Sequence, residues 1–243
     1  MVPARTEGKP PPLNRTIFDI AAGYYDFTAG QLPRWQEHCR SVAAHLASDT
    51  KAVLDLGSGP GVSAYELSGE VPGLRIIGTD FSKKMIQRAV RNRERYPTAA
   101  QSLSWMRSDA VHLPVRSSSV DAVTGHSFLY LVPQRERVLS EVARVLRPGG
   151  RAIFLEPRAE GRTIPSGRTW LRDPWFAWTM FMWSLVGRWD GRFRADELRS
   201  CLERSGLQVI RCDSQLDGFG WLVVALKPRA GSASDSARPN QTG

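Results

Sequence analysis

The sequence predicts an open α/β sheet of about seven strands with helices on both faces. Three observations predict it. Short apolar runs alternate with longer amphipathic segments from residue 34 to residue 226, the pattern of βα units laid on a buried parallel sheet. A glycine-rich stretch, Gly57-Ser58-Gly59-Pro60-Gly61, follows the first strong apolar run, where the chain of such a sheet must turn tightly into a helix. Acids close the first two runs or follow the third, as Asp55, Asp80 and Asp109.

Taken in order, a helix over Arg34–Ala47 precedes the first strand, Lys51–Leu56, whose KAVLDL is apolar enough to be buried on both faces. A helix over Val62–Ser68 leads to a second strand at Leu74–Thr79. A helix over Ser82–Arg95 leads to a third strand, weaker in pattern, at Leu103–Arg107. The run Ala122–Tyr130 contains the fourth strand. The helix Gln134–Leu146 then stops at Arg147-Pro148-Gly149-Gly150, because proline and glycine cannot continue it, and the fifth strand follows at Arg151–Glu156. After an insertion over 158–194, a helix at Ala195–Ser205 shows leucines at 198 and 202 on one face. Leu207–Cys212 and Trp221–Leu226 read as two closing strands. Residues 1–14 and 229–243 are polar and poor in anything that could be buried, so they are expected as disordered tails around a single domain at 15–228.

Composition narrows the function. The chain has 243 residues, 42% hydrophobic and 23% charged, which excludes a fibrous protein. Cys39, Cys201 and Cys212 form no CxxC pair, and the four histidines lack metal-ligand spacing, so neither a disulfide scaffold nor a metal site is expected. The N-terminus lacks the apolar run of a secretory signal. The longest charge-free stretch, Pro174 to Gly187, is 14 residues, short of the roughly 20 that span a bilayer. A soluble, cytoplasmic protein is the expectation. The net charge of +9 is carried mainly by arginine and raises the question of an anionic partner.

The glycine loop carries the first chemical signal. Asp80 at the end of the second strand can accept the two ribose hydroxyls of a nucleoside. Asp109, in Ser108-Asp109-Ala110, can reach an adenine amino group. Asp55, just ahead of the glycines, suits an ammonium group rather than a pyrophosphate. That combination points to the amino-acid end of S-adenosylmethionine.

VLDLGSGPG, Asp80, Ser108-Asp109-Ala110, the Leu113-Pro114 step and LSEVARVLRPGGRAIFLEP together resemble a class I S-adenosylmethionine-dependent methyltransferase. The resemblance covers roughly residues 17–157 and implies a Rossmann-like seven-stranded sheet with the last strand antiparallel. Phe18-Asp19-Ile20-Ala21, Tyr24-Tyr25-Asp26 and Trp35 resemble the opening of quinone-ring C-methyltransferases of the ubiquinone/menaquinone type, although the Asn and Arg-Arg features of that group are absent or displaced. Carried over, the resemblance implies that Asp55, Gly57, Ser58 and Gly59 hold the methionine moiety and that Asp80 binds the ribose. Phe81 would pack on the adenine, Asp109 and Ala110 would meet its edge, and Tyr25 would close over the cofactor.

Methyl transfer from a sulfonium relies mostly on alignment, and a base is needed only where the acceptor must lose a proton. His126, at the end of the fourth strand, is the first candidate base and also a cofactor-side residue, with the alternative that it only shapes the pocket. Tyr130 and Glu156 follow it. Gly125-His126-Ser127-Phe128 lacks the Asn/Asp-Pro-Pro-Tyr/Phe motif of nucleic-acid amino-methylases, and no cysteine is placed for pyrimidine C5 chemistry, which argues against a nucleic-acid partner. The insertion holds Trp170, Trp175, Trp178 and Trp183 among other apolar residues. It reads as a lid walling a small lipophilic, ring-containing acceptor, or as a helix packed on the body with no substrate role. Tryptophan with arginine also suits a membrane surface. Residues 158–194 contribute +4 of the net charge and the two ends +2 each, leaving a nearly neutral body. The sequence therefore favours a methyltransferase of a small hydrophobic ring at carbon or oxygen. A membrane-lipid amine is the alternative, and an RNA or protein substrate comes after it. The oligomeric state is not legible.

Overall fold

The computed structural model describes residues 32–97, 102–160 and 164–229. Seven strands, β1 (Ala52–Leu56), β2 (Arg75–Asp80), β3 (Leu103–Arg107), β4 (Val120–His126), β5 (Leu146–Pro157), β6 (Gln208–Gln215) and β7 (Gly220–Leu226), form one sheet in the order β3-β2-β1-β4-β5-β7-β6. β1 to β5 pair in parallel, and β7 runs antiparallel to both β5 and β6. The expected fold class is therefore the observed one. The central strands carry the core: all seven residues of β4 and four of the five in β1 are buried. The edge strands β3 and β6 are partly exposed.

Seven α-helices accompany them among the described residues: α1 (Pro33–Ser41), α2 (Val62–Glu70), α3 (Lys83–Asn92), α4 (Arg135–Val145), α5 (Gly167–Arg172), α6 (Pro174–Asp190) and α7 (Ala195–Arg204). α4 buries Val138, Leu139, Val142 and Val145, one helical face. α7 adds Leu198, Cys201 and Leu202 to the same cluster on one side of the sheet. α1 enters with Pro33 in its first turn, where the missing amide costs no hydrogen bond. It ends in a 3-10 turn at Val42–His45.

Three boundaries depart from the sequence reading. β5 begins at Leu146 instead of Arg151. The Arg-Pro-Gly-Gly step is pinned to the end of β7, with Gly149 N donating to Lys227 O at 2.8 Å and Lys227 N to Gly150 O at 2.9 Å. β4 begins at Val120 instead of within Ala122–Tyr130 and ends at His126 as read, where Ser127 takes φ +54° and the chain enters a 3-10 turn at Leu129–Leu131. β6 runs on to Gln215, held by its ladder with β7. No helix among the described residues is long and apolar enough to cross a membrane. The tail expectations for 1–14 and for 230–243 lie outside the described residues.

The parallel half of the sheet reverses its strand order between β1 and β4, and loops leaving the carboxyl ends of two such strands diverge to leave a crevice. The glycine loop and His126 lie there.

Candidate active site

The crevice is built from the end of β1. Asp55 is 1% exposed. Its Oδ1 accepts a hydrogen bond from Thr124 Oγ1 on β4 at 2.7 Å, and its Oδ2 accepts one from Ser63 Oγ on α2 at 2.7 Å. Burial pushes its pKa up to about 6; the two hydroxyls oppose that rise, and the nearby Asp80 charge adds to it. Gly57 and Gly59 follow at φ +60° and +53°, the left-handed region that glycine enters without steric cost. A Cβ on Gly57 would fall 2.4 Å from the Phe128 ring, so the loop passes directly under that ring.

Asp80 ties the loop to the next strand. Its Oδ2 accepts from Gly59 N at 3.0 Å and its Oδ1 from Ser82 N at 2.8 Å. Burial raises its pKa while the two amides lower it. Ser58 donates from both its amide and its hydroxyl to Thr79 O, and Asn92 Nδ2 donates to Pro60 O at 3.0 Å. The loop is thus held from β2 and α3 independently of any ligand. Phe81 is 41% exposed, with the Arg107 guanidinium 5.8 Å from its ring centre. Asp109 is exposed and accepts from Val111 N, leaving one carboxylate oxygen outside that turn. Ala110 packs on the core.

On the other side of the crevice, His126 is 8% exposed and neither ring nitrogen has a hydrogen-bond partner among the described residues. Its Nδ1 stands 4.0 Å from Asp55 Oδ1, beyond hydrogen-bond range. Burial, and secondarily His38, lower its pKa to about 3. His38, from α1, is a residue the sequence reading passed over. Its ring lies 6.4 Å from that of His126, its Nε2 is buried without a partner among the described residues, and burial lowers its pKa to about 4. A signal was available: Trp35 and His38 are three apart on a helix and so share a face. Trp35 in turn meets Trp183 of α6 edge-on at 6.2 Å. The rings Trp183, which is partly buried, and Trp35, His38 and His126, which are buried, form one wall from the insertion to the strand ends. Trp35, Gly57, Ser58, Pro60, Val62, Ser63 and His126 enclose about 20 Å³, room for about one water.

The remaining candidates fall in three places. Glu156 is fully buried and faces the turn after β4. Its carboxylate accepts from Phe128 N, Leu129 N and Tyr130 N at 3.3, 2.9 and 3.0 Å. Burial raises its pKa to about 7 against those three amides. Tyr130 is 5% exposed and takes part in that turn through its amide. Trp183 reaches the wall, whereas Trp175 and Trp178 are 42% and 41% exposed and Trp170 is half-buried. Tyr25 lies outside the described residues.

The arrangement offers a buried carboxylate, a second carboxylate at the neighbouring strand end, and neutral imidazoles with unused nitrogens. Residues 54–154 match the family model described as a methyltransferase domain. The chain is 37% identical over 155 residues to a ubiquinone/menaquinone biosynthesis C-methyltransferase of Desulfotalea psychrophila, covering 61% of this chain and 59% of that one. It is 34% identical over 123 residues to a demethylmenaquinone methyltransferase of Thermus thermophilus, covering 51% and 54%. The chain thus spans less than two thirds of these relatives. A phosphoethanolamine N-methyltransferase of Haemonchus contortus, solved in complex with S-adenosyl-L-methionine, shares the fold with a TM-score of 0.67 at 16% identity, over 89% of this chain and 59% of that one. The matched stretch runs from β1 to β5 and contains the glycine loop with Asp55, Asp80 and Asp109, and in these features the chain is similar to the class I S-adenosylmethionine-dependent methyltransferases.

Proposed function

We propose that the protein moves a methyl group from S-adenosylmethionine to a small hydrophobic, ring-containing acceptor, at carbon or oxygen. The observation that carries this reading is the wall Trp183–Trp35–His38–His126, apolar in area yet supplied with unused imidazole nitrogens. Such a wall suits a flat ring bearing an oxygen. Two relatives named for quinone and menaquinone methylation add support.

The residues fit the cofactor. Among the described residues, the buried Asp55 carboxylate has no cation beside it, only the neutral imidazole of His126, and buried imidazole nitrogens there lack partners. When bound, the cofactor supplies an electrophilic methyl on a sulfonium. Asp55 would pair with its ammonium group, since a buried carboxylate is stabilised by an added cation. Asp80 would take the ribose hydroxyls with the lone pairs that Gly59 and Ser82 leave free, and Phe81, Asp109 and Ala110 would border the adenine. Neutral His126 accepts a hydrogen bond, but a conjugate acid of pKa about 3 holds a proton weakly. It therefore orients an acceptor hydroxyl better than it removes its proton. Glu156 has the higher proton affinity, but three amides engage its carboxylate, and its role is to hold the turn that carries Phe128 and Tyr130. Tyr130 and Trp183 complete the acceptor side.

A second reading, methylation of a membrane-lipid amine, draws on the exposed Arg168 and Arg172 of the insertion. Labelled cofactor, incubated with quinols, alkylphenols and aminolipids, separates the two by the product labelled. Incorporation into a ring-containing acceptor is expected. Label confined to the aminolipid would replace the first reading with the second, and label in neither would remove both.

A further inference from the structure

Seven large hydrophobic side chains stand exposed among the described residues, and Ile164, Leu171, Trp175 and Trp178 fall within one short stretch of the insertion. Leu171, at 88%, is the most exposed of all. The helix geometry explains the clustering. On α6, Phe176, Ala177, Met180 and Ser184 turn inward and are buried, while Trp175 and Trp178, three apart, share the outer face. Arg34 of α1 stacks on Phe176 at 4.0 Å and pairs with Asp217, fixing this orientation. On α5, Arg168 and Arg172 are exposed on either side of Leu171. The acid nearest to them, Asp173, is half-buried and caps α6, with Oδ1 accepting from Phe176 N at 2.9 Å. The outer face therefore joins apolar and indole surface to arginine, and the one acid between 164 and 184 is the half-buried helix cap Asp173.

We propose that this face docks on an anionic lipid bilayer, with Leu171, Trp175 and Trp178 at headgroup depth and Arg168 and Arg172 against lipid phosphate. Indoles favour the interface, and basic side chains there are drawn to anionic lipid. A second copy of the chain fits the face less well, because a two-fold contact would set the same arginines against each other. The position has a use that rests on the lipophilic-acceptor reading above. α6 carries the docking residues on one side and Trp183, part of the acceptor wall, on the other, so docking would set the crevice beside a pool of bilayer-dissolved acceptor.

Cosedimentation of the full chain with phosphatidylcholine/phosphatidylglycerol vesicles, against phosphatidylcholine alone, tests the docking directly. Binding to the anionic vesicles is expected, falling steeply with salt. Arg168→Gln with Arg172→Gln should weaken it roughly 25-fold, at about fivefold per charge, and Leu171→Asp should weaken it further at low salt. These exposed substitutions should leave the melting temperature unchanged, and methyl transfer to a water-soluble, short-tailed acceptor without vesicles should stay at the wild-type rate. Equal binding to both vesicle types, binding to neither, or binding that ignores all three substitutions overturns the proposal. So does a dimer in sedimentation equilibrium that Leu171→Asp dissolves. Turnover of the soluble acceptor with no vesicle binding removes the docking alone. Vesicle binding without turnover of any ring acceptor removes the acceptor reading and leaves the docking in place.

Discussion

At Gly57, backbone and packing exclude any side chain for two separate reasons. The φ of +60° disfavours L-residues, and a Cβ would meet Phe128 at 2.4 Å. Gly57→Ala should cost roughly 2–4 kcal/mol of stability, combining left-handed strain with overpacking, and should abolish cofactor binding; urea unfolding and calorimetry read the two effects. Asp55 behaves differently, because its ionised form is held in place at an energetic cost while the site awaits a cation. Asp55→Asn should weaken cofactor binding by roughly 10- to 150-fold, the worth of a charged hydrogen bond, without lowering the melting temperature. A loss of stability matching the loss of affinity would assign Asp55 to the fold instead. For His126, the low proton affinity argues for orientation. His126→Phe should raise the acceptor KM about fivefold and leave the cofactor Kd unchanged. If the variant instead lost a pH-dependent limb of kcat near neutrality, His126 would carry a proton.

Two elements frame the His126 side of the crevice, and each has a residue on which it depends. The turn after β4 depends on Glu156, whose two oxygens serve three amides. Glutamine offers one acceptor oxygen, so Glu156→Gln leaves at least one buried amide without a partner and should cost roughly 1–3 kcal/mol. Faster amide exchange at 128–130 should mark the loss as local. The insertion helix α6 depends on its inner face. Phe176 is fully buried with Leu32, Trp35, Met180 and Phe219, and Phe176→Ala should cost roughly 3–5 kcal/mol. Part of that cost should appear as faster exchange in α5 and α6, since among the strands this cluster engages the sheet only through Leu155 of β5.

Across the whole molecule, four buried titrating groups oppose one another. His38 and His126, with pKa lowered to about 4 and about 3, contribute stability that is present above the unfolded histidine pKa and lost as pH falls toward the folded values. Asp55 and Glu156, raised to about 6 and about 7, contribute the reverse: stability present below the unfolded carboxylate pKa and lost as pH rises through the folded values. Between roughly pH 4.5 and 6 the unfolded chain holds about two more protons on the histidines, and the folded chain about two more on the acids. Stability from these four groups should therefore be nearly flat across that window. Replacing both histidines with asparagine removes one side, so the urea midpoint should rise as pH falls from 7 to 4.5. A midpoint that falls in that variant would show that other groups dominate.

Periodicity, the glycine loop and the strand-end acids were enough to read the sheet and its strand sequence, because a buried parallel strand and a left-handed turn each leave a local mark in composition. Asp55 and Asp80 were legible for the same reason: they lie at the carboxyl ends of β1 and β2. Other features belong to contacts that no local pattern encodes. His38 became part of the site only because α1 packs across the β4 end, 88 residues away along the chain. Glu156, a candidate base in the sequence, holds the turn after β4 because three amides converge on it. The tryptophans of the insertion look alike in sequence, and only the way α6 docks separates Trp183, turned toward the crevice, from Trp175 and Trp178 on the outer face. Local sequence thus determined the fold and the cofactor loop, since both follow from short-range backbone and burial preferences. Tertiary packing decided which side chains face the crevice, since that depends on which elements meet.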